Sequence, residues 1–494
     1  MYTQGFDNEK YLKLQSEHIR RRIDQFGGKL YLEFGGKLFD DNHASRVLPG
    51  FQPDSKLQML LKLKDQAEIV IAISASDIER NKIRGDLGIT YDVDVLRLID
   101  SFRSVGLYVG SVALTHYEDQ SSAKAFIRKL GNLGIPVYKL RLIPDYPQNV
   151  DLILSDEGFG ANDYIETKRE LVIVTAPGPG SGKMVTCLSQ LYHEFKRGIA
   201  AGYAKFETFP VWNLPIDHPV NHAYEAATAD LNDVNMPDPY HFSAYGKEAV
   251  NYNRDIEVFP VLNAIFKGIY GTSPYKSPTD MGVNMVGCCI CDDEACREAS
   301  RQEIIRRFYA TICAVKKGSM NTKAISKIQL LMRNDNITVA ERPVIEAALN
   351  KAQQAGAPAT AIQLQDGTVI TGKRSNLLRA TSAMMLNALK HLAGIADEID
   401  LLPKEIIQPI SDLKMGYLGS SNPRLNLDEI LQALSLVAVN DEKAAAALAQ
   451  LKKLSHCEMH SSVILSGEDD RTLKALGINV TCEPEHESSK LYQI

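Results

Sequence analysis

The chain has no apolar run long enough to cross a membrane. Its strongest apolar stretches, residues 69–72 and 171–175, are far shorter than the ~20 residues that a spanning helix needs. The amino terminus, MYTQGFDNEKYLKLQ, also lacks the basic and apolar regions of a secretion signal. We therefore expect a mature chain that starts at Met1 and has no membrane partner.

Positive charge is not in excess, and no long basic block occurs. The formal net charge is -6 at pH 7, with a pI near 6.0. A protein that binds nucleic acid through the phosphate backbone presents a basic surface. We expect a small-molecule or protein partner and no nucleic acid.

Cysteine is sparse for a chain of this size. There are eight cysteines in 494 residues, and four of them lie between Cys288 and Cys296. Small secreted domains carry a much denser disulfide framework. The cysteine content therefore favours a reducing cytoplasm.

The length exceeds the roughly 250–300 residues at which a single hydrophobic core stops growing. The early part alternates β-rich and helical patterns, which predicts parallel α/β structure, and helical patterns dominate after about residue 321. Asp366-Gly367 between apolar residues signals a hairpin. The predicted strands of the amino-terminal part are residues 30–34, 68–74, 107–114, 137–142, 171–175 and 206–212. The predicted segments are an α/β domain (1–165), a second α/β segment either separate or packed with the first as one unit (166–318), a mainly helical region (319–410) and a small α+β domain (411–494).

The most informative segment is a glycine-rich turn, residues 176–186, between an apolar strand and an amphipathic helix. Gly178, Gly180 and Gly182 allow backbone N–H groups to surround phosphate oxygens, and the helix start adds partial positive charge. Lys183 can reach a terminal phosphate. The layout predicts a P-loop-like phosphate site, and a structural strand-to-helix turn is the alternative.

The turn departs from the standard P-loop at two positions. Pro177 replaces the first glycine, and Met184 replaces the Ser or Thr that holds magnesium. Ser181 and Thr186 are the nearby hydroxyls that could compensate, so both are candidate ligand contacts. The sequence does not support a magnesium ion. A dinucleotide fingerprint fits less well, because Lys183 stands where its third glycine would fall.

Beyond the glycine-rich turn, three residues are candidates for catalysis or substrate binding: Asp217, His218 and Arg254. Asp217 follows the predicted strand 206–212, where it serves either in catalysis or as a helix cap. His218 and Arg254 are candidate substrate contacts. His218, His222 and Glu225 share the spacing of a helix face that could ligate a metal, but nothing fixes a fourth ligand. We therefore predict a polar helix face there and no metal.

The cysteine cluster from Cys288 to Cys296 contains a C-x-x-C spacing. That spacing is half of a zinc or redox site, and no second half-site accompanies it. We predict small buried side chains here, with a thiol or metal centre as the alternative.

Four stretches together carry a family resemblance: LVIVTAPGPGSGKM, IDHPVNHAYEAATADL, DMGVNMVGC and DDEACREASRQEIIRR. Over nearly its full length the chain resembles a bacterial protein family catalogued only as a domain of unknown function. The resemblance implies a bacterial, cytosolic protein. It supplies no catalytic residue.

These observations lead to one functional expectation and two alternatives. We expect a protein that binds ATP or another phosphorylated small molecule at the turn and acts as a phosphoryl-transfer or nucleotide-dependent enzyme, with Lys183 stabilising transition-state charge. The first alternative is a metabolite-binding or regulatory protein without turnover. The second is a thiol or metal protein that uses the cysteine cluster. The sequence leaves a homo-oligomer open.

Overall fold

The computed structural model describes residues 4–36, 38–39, 41–84, 87–231 and 233–487. These residues form two compact units. The first unit contains residues 4–225 and 233–299, and the second contains residues 226–231 and 300–487. Among the helices of these residues, none is both long and apolar enough to span a bilayer.

The secondary structure alternates strands and helices up to residue 206 and is mainly helical between residues 253 and 355. The elements up to residue 316 are α1 (Asn8–Gln25), β1 (Leu30–Phe34), α2 (Asn42–Val47), α3 (Ser55–Lys62), β2 (Ala67–Ser74), α4 (Ala75–Glu79), β3 (Ile83–Arg84), β4 (Ile89–Thr90), α5 (Tyr91–Ser104), β5 (Tyr108–Tyr117), α6 (Ser121–Asn132), β6 (Val137–Arg141), α7 (Val150–Ile153), β7 (Leu171–Thr175), α8 (Lys183–Lys196), β8 (Gly202–Phe206), α9 (Pro219–Ala227), β9 (Asn235–Pro237), α10 (Pro239–Tyr245), β10 (Val250–Tyr252), α11 (Asn253–Tyr270), α12 (Pro278–Met281) and α13 (Asp293–Lys316). The later elements are α14 (Lys323–Asn334), α15 (Pro343–Ala355), β11 (Ala359–Gln363), β12 (Val369–Lys373), α16 (Ala380–Leu392), α17 (Lys404–Gly416), α18 (Leu427–Val437), α19 (Glu442–Leu448), β13 (Glu458–Ser461), α20 (Gly467–Ala475) and β14 (Asn479–Cys482). Short 3₁₀ helices cover Phe159–Ala161, Val286–Cys288, Val339–Glu341 and Leu451–Leu454.

The first unit is built on a six-stranded parallel sheet with the order β6-β5-β2-β7-β1-β8. This confirms the predicted parallel α/β fold. Every residue of the central strands β1, β2 and β7 is buried. Parallel strands covered on both faces read as continuous apolar runs, which is why these strands were visible in the sequence. The sheet takes strands from both of the first two predicted segments.

The last strand of this sheet is not where the sequence places it. The predicted strand 206–212 is wrong beyond Phe206, because β8 is Gly202–Phe206 and pairs with Leu30–Phe34. Pro210 has no N–H group to donate to a strand ladder. Residues 207–218 instead form the loop between β8 and α9.

Helix α8 is fixed against the sheet by its apolar side chains. It packs on β1, β7 and β8, and α11 packs on α8. Leu188 and Leu191 of α8 join Val172 of β7 and Phe266 of α11 in one buried core. This packing holds the first residue of α8 at the carboxyl edge of the sheet.

The second unit contains a four-stranded mixed sheet with the order β12-β11-β13-β14. The predicted hairpin is confirmed: β11 and β12 are antiparallel, and Gly367 of the connecting turn has a φ of 89°. Strands β13 and β14 are parallel and are joined through α20. This sheet combines strands from the third and fourth predicted segments.

Candidate functional site

The glycine-rich turn follows β7 at a point where the strand order of the sheet reverses. The chain leaves β2 toward β5 on one side and leaves β7 toward β8 on the other, and β2 and β7 are neighbours. In open α/β sheets, ligands bind in the crevice outside the carboxyl ends of the strands at such a switch point. The topology therefore places residues 176–182 where ligands bind in this class of fold.

The backbone of the turn depends on two glycines in the left-handed region. Gly180 has a φ of 77° and Gly182 a φ of 86°, a conformation that glycine adopts without steric cost. Gly182 is the N-cap of α8 and Lys183 is its first residue. A glycine has no side chain to cap the first N–H groups, which are the groups that bind anions at helix starts.

The three glycines of the turn have different surroundings. A Cβ at Gly178 would meet the hydroxyl of Tyr91 at 2.1 Å, and a Cβ at Gly182 would meet the side chain of Thr115 at 2.7 Å. A Cβ at Gly180 would meet nothing within 4 Å. Gly178 and Gly182 therefore allow close packing beneath the turn, whereas Gly180 faces open space.

The hydroxyls of the turn support its backbone. Ser181 donates to the carbonyl of Gly178 at 2.9 Å, and Thr186 donates to the carbonyl of Gly182 at 2.8 Å. Both residues are fully buried. The structure therefore places Ser181 and Thr186, which the sequence offered as ligand contacts, in the internal support of the turn.

A cavity of about 510 Å³ opens beside the turn, within the 300–1,000 Å³ usual for small-molecule sites. Its lining residues come from the ends of β1, β5 and β6, the loop after β6, the turn and the start of α8. They are Glu33, Thr115, His116, Leu140, Arg141, Leu142, Ile143, Pro144, Asp145, Tyr146, Gly180, Gly182, Lys183, Met184 and Val185. Of the predicted site residues, Gly180, Gly182 and Lys183 lie at this cavity.

Two opposite charges face the cavity from different elements. Lys183 is at the start of α8, and Glu33 of β1 accepts a hydrogen bond from the hydroxyl of Tyr203 at 2.7 Å. Burial raises the pKa of the nearby Cys187 thiol. The negative charge of Glu33 raises this pKa further, and the positive charge of Lys183 lowers it. The hydroxyl of Tyr146 is buried and has no hydrogen-bond partner among the described residues. The cavity thus offers a cation and a carboxylate.

His116 is a cavity residue that the sequence did not indicate. It has a φ of 51°, an uncommon conformation for a residue other than glycine, and its Nδ1 lies 3.1 Å from the Ser74 hydroxyl at the end of β2. Burial lowers the pKa of His116, although Asp77 opposes the shift. The ring is therefore neutral near pH 7. The sequence signal that could have indicated His116 is its position at the carboxyl end of an apolar strand.

The structure does not bring Asp217, His218 or Arg254 to this cavity. Asp217 is exposed on the loop after β8. His218 is buried: its Nδ1 accepts the N–H of Val220 at 3.2 Å, and its Nε2 therefore donates to Asp293 at 2.9 Å. The helix-capping contact considered for Asp217 is thus made by His218.

Arg254 lies at the start of α11, where its side chain is 53% exposed. Its guanidinium is 3.4 Å from Asp233 and 3.8 Å from Asp255. These contacts place Arg254 in a surface ion-pair group of the first unit.

The cysteine segment packs against residues near the amino terminus. Ile290 forms an antiparallel bridge with Phe6, and the thiol of Cys296 donates to the carbonyl of Gly5 at 3.4 Å. Burial raises the pKa values of Cys289 and Cys296 to about 12. In the part of the chain that the structure describes, no group of three or more His, Cys, Asp or Glu side chains could hold a metal ion.

The fold and the turn define a parallel-sheet α/β protein with a glycine-rich strand-to-helix turn at its switch point. The family model described as domain of unknown function DUF1846, N-terminal, matches residues 4–336, and the model for the C-terminal domain of the same family matches residues 340–492. The chain belongs to this family, which confirms the resemblance seen in the sequence.

Relatives from two bacterial genera match the chain from end to end. A UPF0371 protein of Streptococcus thermophilus is 55% identical over 493 residues, covering 100% of both chains. A UPF0371 protein of Corynebacterium aurimucosum is 56% identical over 491 residues, covering 99% of each chain. The family is thus bacterial and spans the whole length.

Proposed function

We propose that the cavity at the carboxyl edge of the first sheet binds ATP or another phosphorylated small molecule, with a phosphate held at residues 178–183. The observation that carries this proposal is the position of Lys183. An ammonium on the first residue of a helix meets the positive end of the helix dipole, which is unfavourable unless an anion is present. Lys183 follows two left-handed glycines and lines the cavity.

The remaining walls suit the body of such a ligand. Leu140, Ile143 and Met184 supply apolar surface, while Glu33 supplies a polar contact. Mostly apolar pockets with a few placed polar groups are typical small-molecule sites. Met184 stands where a P-loop carries its magnesium-binding hydroxyl, so Lys183 and backbone N–H groups balance the phosphate charge in this proposal.

The reaction that fits this site best is phosphoryl transfer or another nucleotide-dependent step. Lys183 would stabilise charge that develops on the phosphoryl oxygens. His116, neutral near pH 7 and lining the same cavity, would accept a proton from the attacking group. We place this activity in the cytoplasm, where the low cysteine content fits a reducing environment.

A second candidate is a protein that senses a phosphorylated metabolite without turnover. The hydroxyls of Ser181 and Thr186 donate to backbone carbonyls, and Met184 has no hydroxyl. A ligand held without magnesium at this turn would be bound rather than converted. Burial raises the pKa values of Cys289 and Cys296, and the thiolate is the nucleophile and the metal ligand, so the thiol alternative depends on Cys288 and the exposed Cys291.

Matched pairs of ligands test the proposal. Thermal unfolding is measured with ATP against adenosine and with glucose 6-phosphate against glucose. A phosphorylated member present at about 100 times its Kd is expected to stabilise the protein by about 2.7 kcal/mol, and its partner to have little effect. Equal stabilisation by both members of each pair, or no stabilisation by any compound, would contradict the proposal.

Turnover separates the two candidates. The stabilising compound is incubated with the protein and followed by phosphorus NMR. New phosphorus signals that disappear with Lys183→Ala support the enzyme, whereas an unchanged spectrum with retained binding supports the sensor. Lys196→Ala, at the far end of the same helix, is the control.

A further inference from the structure

The second unit contains a cavity of its own, of about 560 Å³. It lies at the carboxyl end of β13, where the last residue, Ser461, lines it, and at the starts of α16 and α20. The carboxyl ends of parallel strands, joined here through α20, are common ligand positions. Charged side chains from four parts of the unit line the cavity: Lys316, Lys317, Arg379, Asp469, Glu485 and Glu487.

Arg379 has donor capacity that the protein does not use. It is the N-cap residue of α16, and its Nη1 donates to the Ser466 hydroxyl and, at 3.3 Å, to Asp469. Its Nε is buried without a hydrogen-bond partner, and its Nη2 donates to none of the described residues. Guanidinium groups bind carboxylates and phosphates through their N–H donors, so the Nη2 group of Arg379, which lines the cavity without a partner among the described residues, is suited to an oxyanion.

Two of the three lining carboxylates are already engaged. Asp469 accepts the N–H of Leu427 at 2.8 Å and the hydroxyl of Thr381 at 3.0 Å, in addition to its contact with Arg379. Glu487 pairs with Arg374 at 3.1 Å.

The basic side chains are less engaged. The described residues provide no ion-pair partner for Lys316 or Lys317, which are both exposed at the end of α13. The backbone at the start of α16 adds the partial positive charge of a helix N-terminus. The lining charges are equal in number, three basic and three acidic, but two of the carboxylates already have partners in the fold, whereas the two lysine ammonium groups have none among the described residues.

We infer that the second-unit cavity binds a small oxyanion, a carboxylate or a phosphate, between Arg379 and the Lys316-Lys317 pair. Arg379 orients the anion through the guanidinium N–H groups that have no partner among the described residues, and the two lysines supply the positive charge that attracts the anion. The inference rests on residues of the second unit alone and does not depend on Lys183.

The test uses the full chain with Lys183→Ala, so that binding at the first-unit cavity is weakened. Calorimetry is run with inorganic phosphate and, separately, with succinate, which distinguishes the two oxyanion sources. Adding Lys316→Gln and Lys317→Gln is expected to weaken binding of the preferred anion by roughly tenfold or more. The control adds Lys404→Gln and Lys443→Gln, two exposed lysines of the same unit outside the cavity, and is expected to bind within about twofold of the parent.

Arg379→Gln is a second variant. It leaves Asp469 without its cation, so its fold is first checked by circular dichroism; a folded variant is expected to lose binding as well. Equal affinity of the Lys316/Lys317 variant and its control, or no binding of either anion to the parent, would overturn the inference.

Discussion

The hydroxyl of Thr115 donates a hydrogen bond to the carbonyl oxygen of Ser181 over 2.9 Å. This bond ties the carboxyl end of β5 to the middle of the glycine-rich turn, and both residues are fully or almost fully buried. The side chain of Thr115 also packs directly beneath Gly182. The shape of the turn therefore depends on a strand that lies far from it in the chain.

Thr115→Val should loosen the turn while preserving the volume of the side chain. The substitution leaves the buried carbonyl of Ser181 without its donor, which costs roughly 1–3 kcal/mol of unfolding free energy. Ligand binding at the cavity should weaken too. Urea denaturation measures the first effect and thermal-shift titration the second. Thr115→Ser keeps the hydroxyl and should retain most of the stability and most of the ligand affinity. Identical behaviour of the Val and Ser variants would show that the hydrogen bond from Thr115 does not support the turn.

The glycines of the turn should respond differently to alanine. At Gly182 a Cβ meets Thr115 and the φ is positive, so Gly182→Ala should lower the free energy of unfolding by roughly 2–4 kcal/mol. At Gly180 only the positive φ opposes a side chain, so the loss should be about 1 kcal/mol. Urea denaturation of the two variants compares these losses.

Ligand affinity should also distinguish Gly180 from Gly182. Gly180 lines the cavity, so its added methyl should interfere with a bound phosphate despite the small loss of stability. A Gly180→Ala variant that binds the ligand as well as wild type would argue against a phosphate at this glycine.

The parallel sheet was predictable because its central strands are short runs of mostly apolar residues. The runs at residues 30–34 and 171–175 coincide with β1 and β7. The strand Gly202–Phe206 was missed because Gly202, Ala204 and Lys205 are residue types that are depleted in strands. That lysine is held in the fold by Asp255 at 2.5 Å, an ion pair between positions 50 residues apart that local patterning does not reveal.

The candidate site was only partly predictable, for a related reason. The turn itself is a local feature, so its glycine spacing and Lys183 were visible. Glu33, His116 and Tyr146 come from separate parts of the chain, and the order of the strands brings them to one cavity. Asp217 was chosen because it follows the predicted strand 206–212, but it lies on a loop and does not line that cavity.

Thiol reactivity should follow burial in the cysteine segment. Cys289 and Cys296 have pKa values raised to about 12 by burial, whereas Cys291 is exposed. Iodoacetamide at pH 7.5 should therefore modify Cys291 in the native protein and leave Cys289 and Cys296 intact. Peptide mass spectrometry reads the sites, with urea-unfolded protein as the control. Rapid native modification of Cys289 or Cys296 would contradict the burial that raises their pKa values.

Stability should fall in mild acid partly through His18. Burial, followed by the charges of Arg22 and Arg21, lowers its pKa to about 4 from the usual 6.5. As the pH falls below about 6.5, the unfolded chain takes up this proton first, so the free energy of unfolding decreases between about pH 6.5 and 4.

Replacing His18 with Gln should remove part of that decrease. Between pH 7.5 and pH 5, the wild type should lose roughly 1–2 kcal/mol more unfolding free energy than His18→Gln. This difference is smaller than the full pKa shift would give, because the His18 side chain is partly exposed. Urea denaturation of both proteins at the two pH values measures it. An equal acid-induced loss in wild type and His18→Gln would show that this histidine is not responsible.

The most direct test of the central claim is paired calorimetry and denaturation of wild type and Lys183→Ala with the phosphorylated compound that stabilises the wild type. Because Lys183 is the first residue of α8, its removal should leave the unliganded protein as stable as wild type or up to about 1 kcal/mol more stable. The same change should weaken binding of the compound by roughly 1.5–3 kcal/mol, the range for a charge-assisted hydrogen bond. Unchanged affinity, or substantial unfolding of the variant without ligand, would show that Lys183 is a structural residue and that the turn is not a phosphate site.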